Sequence, residues 1–268
     1  MTATRGVATR ITLALLALLV LSPATLGRAS PPSLGCDDSG YVDSLGHCSP
    51  LHPGDSVSFP GFYCTLNFLW VDPRGNRYFG TAGHCTLGIK IGAVASDGLG
   101  RPIGHLVYSV WNASNDAEDF ALIRLNAHVT AASSMRHWGG PTRTFTGYTG
   151  DPSTLCFFGQ ADGLADAAAA RNLITTSVTQ PEIVLVNGVI SFGDSGAPVI
   201  MPDGQALGWV ESIADSYHLP ASIAHGGVEL GEEVVTRIGP AVASAEKALH
   251  TKLRLLTDAH PHCSLMTP

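Results

Sequence analysis

GDSGAP occupies residues 193–198, and TAGHC lies far upstream at residues 81–85. In the first stretch Ser195 is flanked by glycines, which allow backbone N–H groups to face the oxyanion that forms when a carbonyl is attacked. The second stretch supplies His84, and serine becomes a good nucleophile only when a base takes its proton. Gly-Asp-Ser-Gly is also good turn chemistry, so alone it could be a surface turn. Together the two stretches indicate a serine nucleophile and its base.

A third candidate lies between these stretches, where EDFALIRL spans residues 118–125. Asp119 directly precedes an apolar, strand-like run, as expected for a carboxylate that orients an imidazole. Asp116 and Glu118 are the alternatives, and both are expected in a solvated turn. We therefore predict Asp119 as the partner of His84.

The order His84, Asp119, Ser195 resembles that of chymotrypsin-like (trypsin-like) serine peptidases of the secreted bacterial type, and differs from the orders of subtilisins and α/β-hydrolases. The resemblance covers about residues 59–238. It implies an all-β fold of two six-stranded antiparallel β-barrels with a C-terminal helix, and a substrate cleft between the barrels. It also implies that Ser195 attacks, that His84 transfers the proton, and that the N–H groups of Gly193 and Ser195 form the oxyanion hole.

The composition suits a folded, exported protein. The chain has 268 residues, of which 45% are hydrophobic and 14% charged, as in globular proteins. Arg5 and Arg10 precede an apolar run over residues 11–21, and small residues near Ala29 offer a cleavage site, which predicts a signal peptide over residues 1–29. The run is too short for a spanning helix, which needs roughly 20 apolar residues.

The net charge of the chain indicates which classes of partner it would bind. Removing residues 1–29 takes away three arginines and no acidic residue, which changes the formal net charge from −7 to about −10. Such acidity argues against nucleic-acid or anionic-membrane partners. We expect protein or peptide substrates, no membrane association after signal cleavage, and a monomer.

Short β-rich runs bounded by Gly, Pro, Asn or Asp begin near Phe59. They predict a loop-rich lead-in over residues 30–58, a first barrel carrying His84 and Asp119 over residues 59–132, and a second barrel carrying Ser195 over residues 133–233. The first set of predicted strands includes residues 77–81, and the second set starts with residues 143–148 and includes residues 154–158. Apolar residues recur at three- to four-residue steps from Val234 to Leu256, which predicts an amphipathic helix in a C-terminal segment over residues 234–268.

Six cysteines in an exported chain predict up to three disulfides, with 15 possible pairings. The family resemblance implies a bond between Cys64 and Cys85, which closes the loop carrying the histidine. Cys36 with Cys48, and Cys156 with Cys263, then follow by elimination. A buried free thiol is the alternative for Cys156.

Several positions depart from the family pattern. Asp194, which pairs with a new N-terminus in animal members, needs another partner, for which Arg143, Arg171 and backbone donors are the candidates. The resemblance places Val189 on the floor of the specificity pocket, where the absence of an acid favours apolar or small side chains over Lys or Arg.

The strand that would pair with substrate is also unusual. Glu211 stands where the family prefers serine, and a one-residue register slip would place Ser212 there instead. A second carboxylate facing the catalytic group would raise the pKa of one partner and weaken peptidase activity.

We therefore expect a secreted serine endopeptidase that uses no cofactor and no metal. The paired histidines at 260 and 262 lack a matching acid cluster and are expected in solvent. One alternative is a catalytically weak or inactive binding protein on the same fold. Another is an esterase-like hydrolase, because fold and triad do not by themselves set the acyl substrate.

Overall fold

A computed structural model describes residues 41–42, 48–112, 118–147, 153–160, 170–180, 183–213 and 229–264 of the chain. All of these belong to one structural unit, residues 35–268. The predicted signal peptide, residues 1–29, lies outside the described residues. The predicted boundaries between the lead-in, the two barrels and the C-terminal segment stay predictions.

Strands dominate the described ranges. In chain order they are β1 (Tyr41–Val42), β2 (Cys48–Ser49), β3 (Ser56–Phe59), β4 (Phe62–Thr65), β5 (Leu69–Val71), β6 (Arg77–Thr81), β7 (Val94–Ser96), β8 (Pro102–Trp111), β9 (Asp119–Leu125), β10 (Thr154–Phe158), β11 (Ala170–Gln180), β12 (Ile183–Ile190), β13 (Pro198–Ile200), β14 (Ala206–Ile213), β15 (Glu229–Arg237) and β16 (Arg254–Leu255). A short 3₁₀ helix covers His84–Thr86, and one α-helix, α1, covers Ile238–Leu249.

The second half of the chain forms a closed six-stranded antiparallel barrel, in the order β10, β11, β12, β15, β14, β13. Its interior is a separate apolar cluster to which every strand contributes, including Phe157, Leu173, Val186, Val199 and Val235. Closure leaves no strand edge in this barrel unpaired. The predicted second barrel is therefore present.

The first half forms an antiparallel sheet in the order β16, β5, β6, β9, β8, β7, β3, β4. The predicted all-β fold of two antiparallel sheets with a C-terminal helix is confirmed. The first sheet has eight strands and not the predicted six. One of the additional strands is β16 from the C-terminal tail, which adds to the β5 edge through the pairs Arg254–Val71 and Leu255–Trp70. A strand supplied from so far along the chain leaves no local signal in the sequence.

Local sequence patterns located most other strands. The predicted runs at Arg77–Thr81 and Thr154–Phe158 coincide with β6 and β10. The strand predicted over residues 143–148 was wrong for its described part, residues 143–147, where a single parallel bridge joins Thr144 to Ala206. One bridge pairs too few backbone groups to make a ladder.

Helix α1 is shorter than its predicted range of residues 234–256. Residues 234–237 pair with β12 and β14 instead, so tertiary pairing overrides the helical period there. The buried face of the helix consists of Ile238, Ala241, Val242 and Ala245, the spacing of one helical face. His250 ends it in the left-handed conformation, with φ of 51°. Within the described ranges, no helix has the length and apolarity needed to cross a membrane.

Candidate active site

His84 begins the 3₁₀ helix that follows β6. The preceding Gly83 packs so closely against strand β8 that a Cβ atom there would overlap the carbonyl oxygen of Val110. A glycine is therefore required at the turn that leads the chain from β6 into the helix. His84 is left partly exposed, with 24% of its side chain accessible.

Asp119, the first residue of β9, accepts two hydrogen bonds from His84. Its Oδ1 accepts from the backbone N–H at 2.7 Å, and its Oδ2 lies 2.9 Å from the ring Nδ1. The carboxylate is fully buried, where a polar group is costly unless it is hydrogen-bonded. A proton held on Nδ1 leaves Nε2 as the acceptor nitrogen of a neutral imidazole. Glu118 is exposed, and Asp116 lies outside the described residues.

Trp209 of β14, in the second barrel, holds Asp119 in place. Its indole Nε1–H donates to the Asp119 carbonyl oxygen at 3.0 Å. Its ring stacks on that of Phe120, with centroids 4.6 Å apart. The position of the acid is thus set jointly by both halves of the molecule, which a single sequence does not reveal.

The loop before β13 carries Ser195 between two glycines in the left-handed region, Gly193 (φ 97°) and Gly196 (φ 88°). Three N–H groups of this loop already donate hydrogen bonds to backbone carbonyl oxygens. The Asp194 N–H donates to Ser191, the Ala197 N–H donates to Asp194, and the Gly196 N–H donates to Val210 of β14. Within the described residues, no acceptor faces the N–H groups of Gly193 and Ser195. These are the two donors predicted for the oxyanion hole.

The Ser195 loop meets the His84 segment through the backbone of Ser195. The Ser195 carbonyl oxygen accepts from the Thr65 N–H at 2.9 Å and lies 4.0 Å from the Cys85 sulfur. Among the described residues, no hydrogen bond joins the Ser195 hydroxyl to the imidazole. Catalytic hydrogen bonds are often long before substrate binds and tighten in the complex.

The predicted bond between Cys64 and Cys85 is present, with Cα atoms 6.3 Å apart. It ties β4 to the helix that carries His84. Cys64, His84 and Cys85 also gather three potential metal-ligand atoms within 4.8 Å of one another. Both sulfurs are committed to the disulfide, which leaves His84 as the single donor. The expectation of a metal-free site stays a prediction.

Arg171 of β11 is the partner of Asp194. Its Nη2 lies 2.5 Å from Asp194 Oδ1, and the Ser191 N–H donates to Asp194 Oδ2 at 2.9 Å. The guanidinium also covers the Phe157 ring at 4.5 Å from its centroid. Asp194 therefore has two of the predicted kinds of partner, an arginine and a backbone donor. Arg143, the other arginine considered, is exposed.

The predicted specificity pocket is described in part. Val189 lies near the end of β12, half-buried, and its carbonyl oxygen accepts from Arg171 Nη1 at 3.2 Å. The side chain of Ser212 lies outside the described residues. Its role in the pocket stays a prediction.

Glu211 occupies a bulge in β14, because Val210 pairs with Val235 and Ser212 with Val234. The bulge is an irregularity of one residue in the register of β14, and whether it places Ser212 at the position that the family gives to serine stays a prediction. The Glu211 side chain is buried, at 4% exposed, and its Oε2 accepts from the Thr236 hydroxyl at 2.8 Å. A buried carboxyl group therefore lies two residues beyond Trp209, which contacts Asp119.

The second disulfide, Cys156–Cys263, is also as predicted, with Cα atoms 5.6 Å apart. It joins β10 to the tail beyond helix α1, across 107 residues of sequence. The buried-thiol alternative for Cys156 is thereby excluded. The Cys36–Cys48 pairing lies outside the described residues.

No family model matches the sequence, and no curated protein matches it. Solved structures do resemble it in fold. Protease A of Thermobifida fusca has 18% sequence identity and a TM-score of 0.55, over 78% of this chain and 100% of that chain. Nocardiopsis protease has 20% identity and a TM-score of 0.54, over 77% and 99%. A glutamic acid specific serine protease has 17% identity and a TM-score of 0.54, over 77% and 100%. The chain therefore has the chymotrypsin-like fold of these bacterial serine proteases.

Proposed function

We propose that this chain is a secreted serine endopeptidase that hydrolyses peptide bonds through an acyl-enzyme on Ser195. The observation that carries the proposal is the double hydrogen bond between Asp119 and His84, beside a serine loop with two N–H groups that lack an acceptor among the described residues. A histidine held in this tautomer is suited to general-base work. Two such N–H groups are suited to an oxyanion.

In each half of the reaction, His84 first accepts a proton and then donates it. His84 Nε2 takes the Ser195 proton while Oγ bonds to the substrate carbonyl carbon, and the oxyanion accepts from Gly193 and Ser195 N–H. The imidazolium, stabilised by Asp119, then donates its proton to the amine as the C–N bond breaks. The same nitrogen then deprotonates a water that attacks the acyl carbon, and it returns the proton to Ser195 Oγ as the acyl–Oγ bond breaks and the acid is released.

Val189 supports a preference for apolar or small side chains before the cleaved bond. Among the charges nearby, Arg171 is already compensated by Asp194. A substrate cation in the pocket would meet no counter-charge at Val189 and would have to be desolvated at a large cost.

Secretion and the partners are part of the same proposal. Two disulfides, Cys64–Cys85 and Cys156–Cys263, suit an oxidising compartment. The basic start and apolar run before Ala29 suit export. The acidic mature chain then acts as a monomer on proteins or peptides and binds neither nucleic acid nor membranes.

Intact-mass measurement after treatment with a fluorophosphonate tests the catalytic serine. We expect one adduct on the wild-type protein and none on Ser195→Ala, because the reagent requires a serine activated by its base. A peptide-library digest run alongside should show cleavage after apolar or small residues. Cleavage after Lys or Arg would contradict the pocket assignment.

The buried Glu211 favours a second candidate, a binding protein on the same fold with weak or no turnover. Its buried side chain follows Trp209, which contacts Asp119, by two residues in β14. A folded protein that takes up no fluorophosphonate and cleaves no peptide would favour this candidate. Esterase action is distinguished by comparing rates on matched ester and amide substrates.

A further inference from the structure

Thr65, the last residue of β4, touches the Ser195 loop at two places. Its Oγ1 donates to the Gly193 carbonyl oxygen at 2.7 Å, and its N–H donates to the Ser195 carbonyl oxygen at 2.9 Å. The side chain is fully buried. We propose that Thr65 is a positioning residue that holds the oxyanion hole in its working orientation. This inference rests on the proposed function.

The two predicted oxyanion donors are the N–H groups of Gly193 and Ser195, and Thr65 binds the carbonyl groups of these same two residues. Gly193 has φ of 97° and no Cβ, so rotation about its backbone bonds is cheap. Holding the Gly193 carbonyl restrains the 193–194 peptide unit, and holding the Ser195 carbonyl restrains the next residue but one. With both carbonyls held, the segment that carries the two N–H groups has less freedom to turn away from the hole.

Thr65 is itself held in one rotamer by its neighbours. The Gln160 N–H donates to Thr65 Oγ1 at 3.0 Å, and the Thr81 hydroxyl donates to the Thr65 carbonyl oxygen at 2.8 Å. A hydroxyl has one hydrogen, and an N–H cannot accept it, so this hydrogen points at the Gly193 carbonyl. The contact is thus directional and couples β4 and β6 of the first sheet to the nucleophile loop of the second barrel.

Three substitutions distinguish a positioning role of Thr65 from a general effect on protein stability. Thr65→Val keeps the shape and the backbone N–H but removes the hydroxyl, whereas Thr65→Ser keeps the hydroxyl. Thr175→Val removes another buried hydroxyl, one that accepts from the Ser153 N–H at 2.8 Å in the second barrel. It controls for the general cost of losing a buried hydrogen bond.

For Thr65→Val we expect kcat on a peptide amide to fall about 100-fold with KM within about threefold, because a displaced donor weakens binding of the oxyanion rather than of the substrate. Thr65→Ser should stay within about fivefold of wild type, and Thr175→Val should keep the wild-type kcat. A Thr65→Val kcat within about threefold of wild type, or equal losses in Thr65→Val and Thr65→Ser, would overturn the proposal.

A second readout does not depend on turnover. The N–H groups of Asp194 and Ala197 are hydrogen-bonded within the loop, and that of Gly196 donates to Val210 of β14. Hydrogen exchange at these three groups therefore reports on opening of the loop. We expect exchange at least about tenfold faster in Thr65→Val than in Thr65→Ser or Thr175→Val. Unchanged exchange would overturn the positioning role. If the wild type neither cleaves peptides nor takes up fluorophosphonate, the proposed function fails, and this exchange comparison still decides the role of Thr65.

Discussion

Asp119 directs both carboxylate oxygens at the same residue, one to the backbone N–H of His84 and one to its ring. The backbone bond sets where the histidine lies, and the ring bond sets which nitrogen carries the proton. An amide in place of the carboxylate could keep the first bond while donating into the second. The two functions of this residue can therefore be separated by substitution.

For Asp119→Asn we expect kcat to fall by about 10⁴-fold near neutral pH, because an asparagine N–H facing Nδ1 stabilises the wrong imidazole tautomer. Peptide hydrolysis measured from pH 6 to 9 checks this. Glu118→Gln is the matched control, since Glu118 is exposed and binds the Asn112 side chain at 3.1 Å. A loss below about tenfold in Asp119→Asn would remove Asp119 from the catalytic group.

Residue chemistry alone was enough to pair His84 with Asp119, because the apolar run after Asp119 marks a strand start. It was not enough to find Thr65 or Trp209. A threonine in a strand and a tryptophan in a core have ordinary structural uses, and their contacts here depend on how two sheets meet. Glu211 was noticed from the sequence, but its burial against Thr236 required the structure.

The buried carboxylate of Asp72 organises the turn between β5 and β6. Its Oδ1 accepts from the N–H groups of Arg74 and Asn76, and its Oδ2 accepts from the Asn76 amide and the Tyr78 hydroxyl. Desolvation raises the pKa of Asp72, but these hydrogen bonds outweigh it and hold the pKa below its usual value. The ionised form therefore stabilises the folded hairpin.

Asp72→Asn should lower stability at pH 7 by about 1–3 kcal/mol, because the amide N–H₂ cannot accept the bonds made by one oxygen. A folded-state pKa below the unfolded value near 4 means that the wild-type advantage is complete above about pH 5. It is lost as pH falls through the folded pKa. Thermal unfolding at pH 7 and at pH 3 should show a difference of roughly 2–10 °C that shrinks in acid.

Asp203→Asn is the control for this prediction, since Asp203 caps an equivalent turn between β13 and β14 but is exposed. It should change the melting temperature little at either pH. An Asp72→Asn difference that is the same at pH 7 and pH 3 would contradict the assignment of the depressed pKa.

Strands could be predicted from the sequence where the pattern that marks them lies within the strand and its flanking turns. β6 and β10 are apolar runs bounded by turn residues, and both were located to the residue. The strand predicted at residues 143–148 and the early start of helix α1 were wrong, because long-range pairing decides both. Two-residue β16 has no pattern of its own to detect.

At the scale of the whole molecule, the tail after helix α1 joins parts that are distant in sequence. β16 extends the first sheet, the Asp258 N–H donates to Pro141, the His262 N–H donates to Trp138, and Cys263 bonds to β10 of the second barrel. The tail thereby contacts both sheets and the segment between them. Its contribution to stability should be large for its length.

Cys263→Ser tests this contribution. Losing a bond that closes a loop of about 100 residues costs up to about 4.7 kcal/mol by unfolded-state entropy, so we expect the melting temperature to fall by roughly 10 °C or more. The remaining Cys156 thiol is buried and keeps the Asn172 amide at 3.2 Å and the Ser264 carbonyl oxygen at 3.8 Å as polar neighbours. Ser264→Ala, whose backbone contact with Asn172 is kept, should melt like wild type. A fall below about 2 °C in Cys263→Ser would show that the other tail contacts suffice.

The tail also sets an order of assembly. A nascent chain that has emerged only as far as helix α1 still lacks the edge strand β16 and the covalent closure of β10, because both come from residues 254–263. The complete native state becomes available only once those residues have been synthesised. In the exported protein that we propose, the covalent link between the tail and β10 would therefore form after the rest of the described chain has been made.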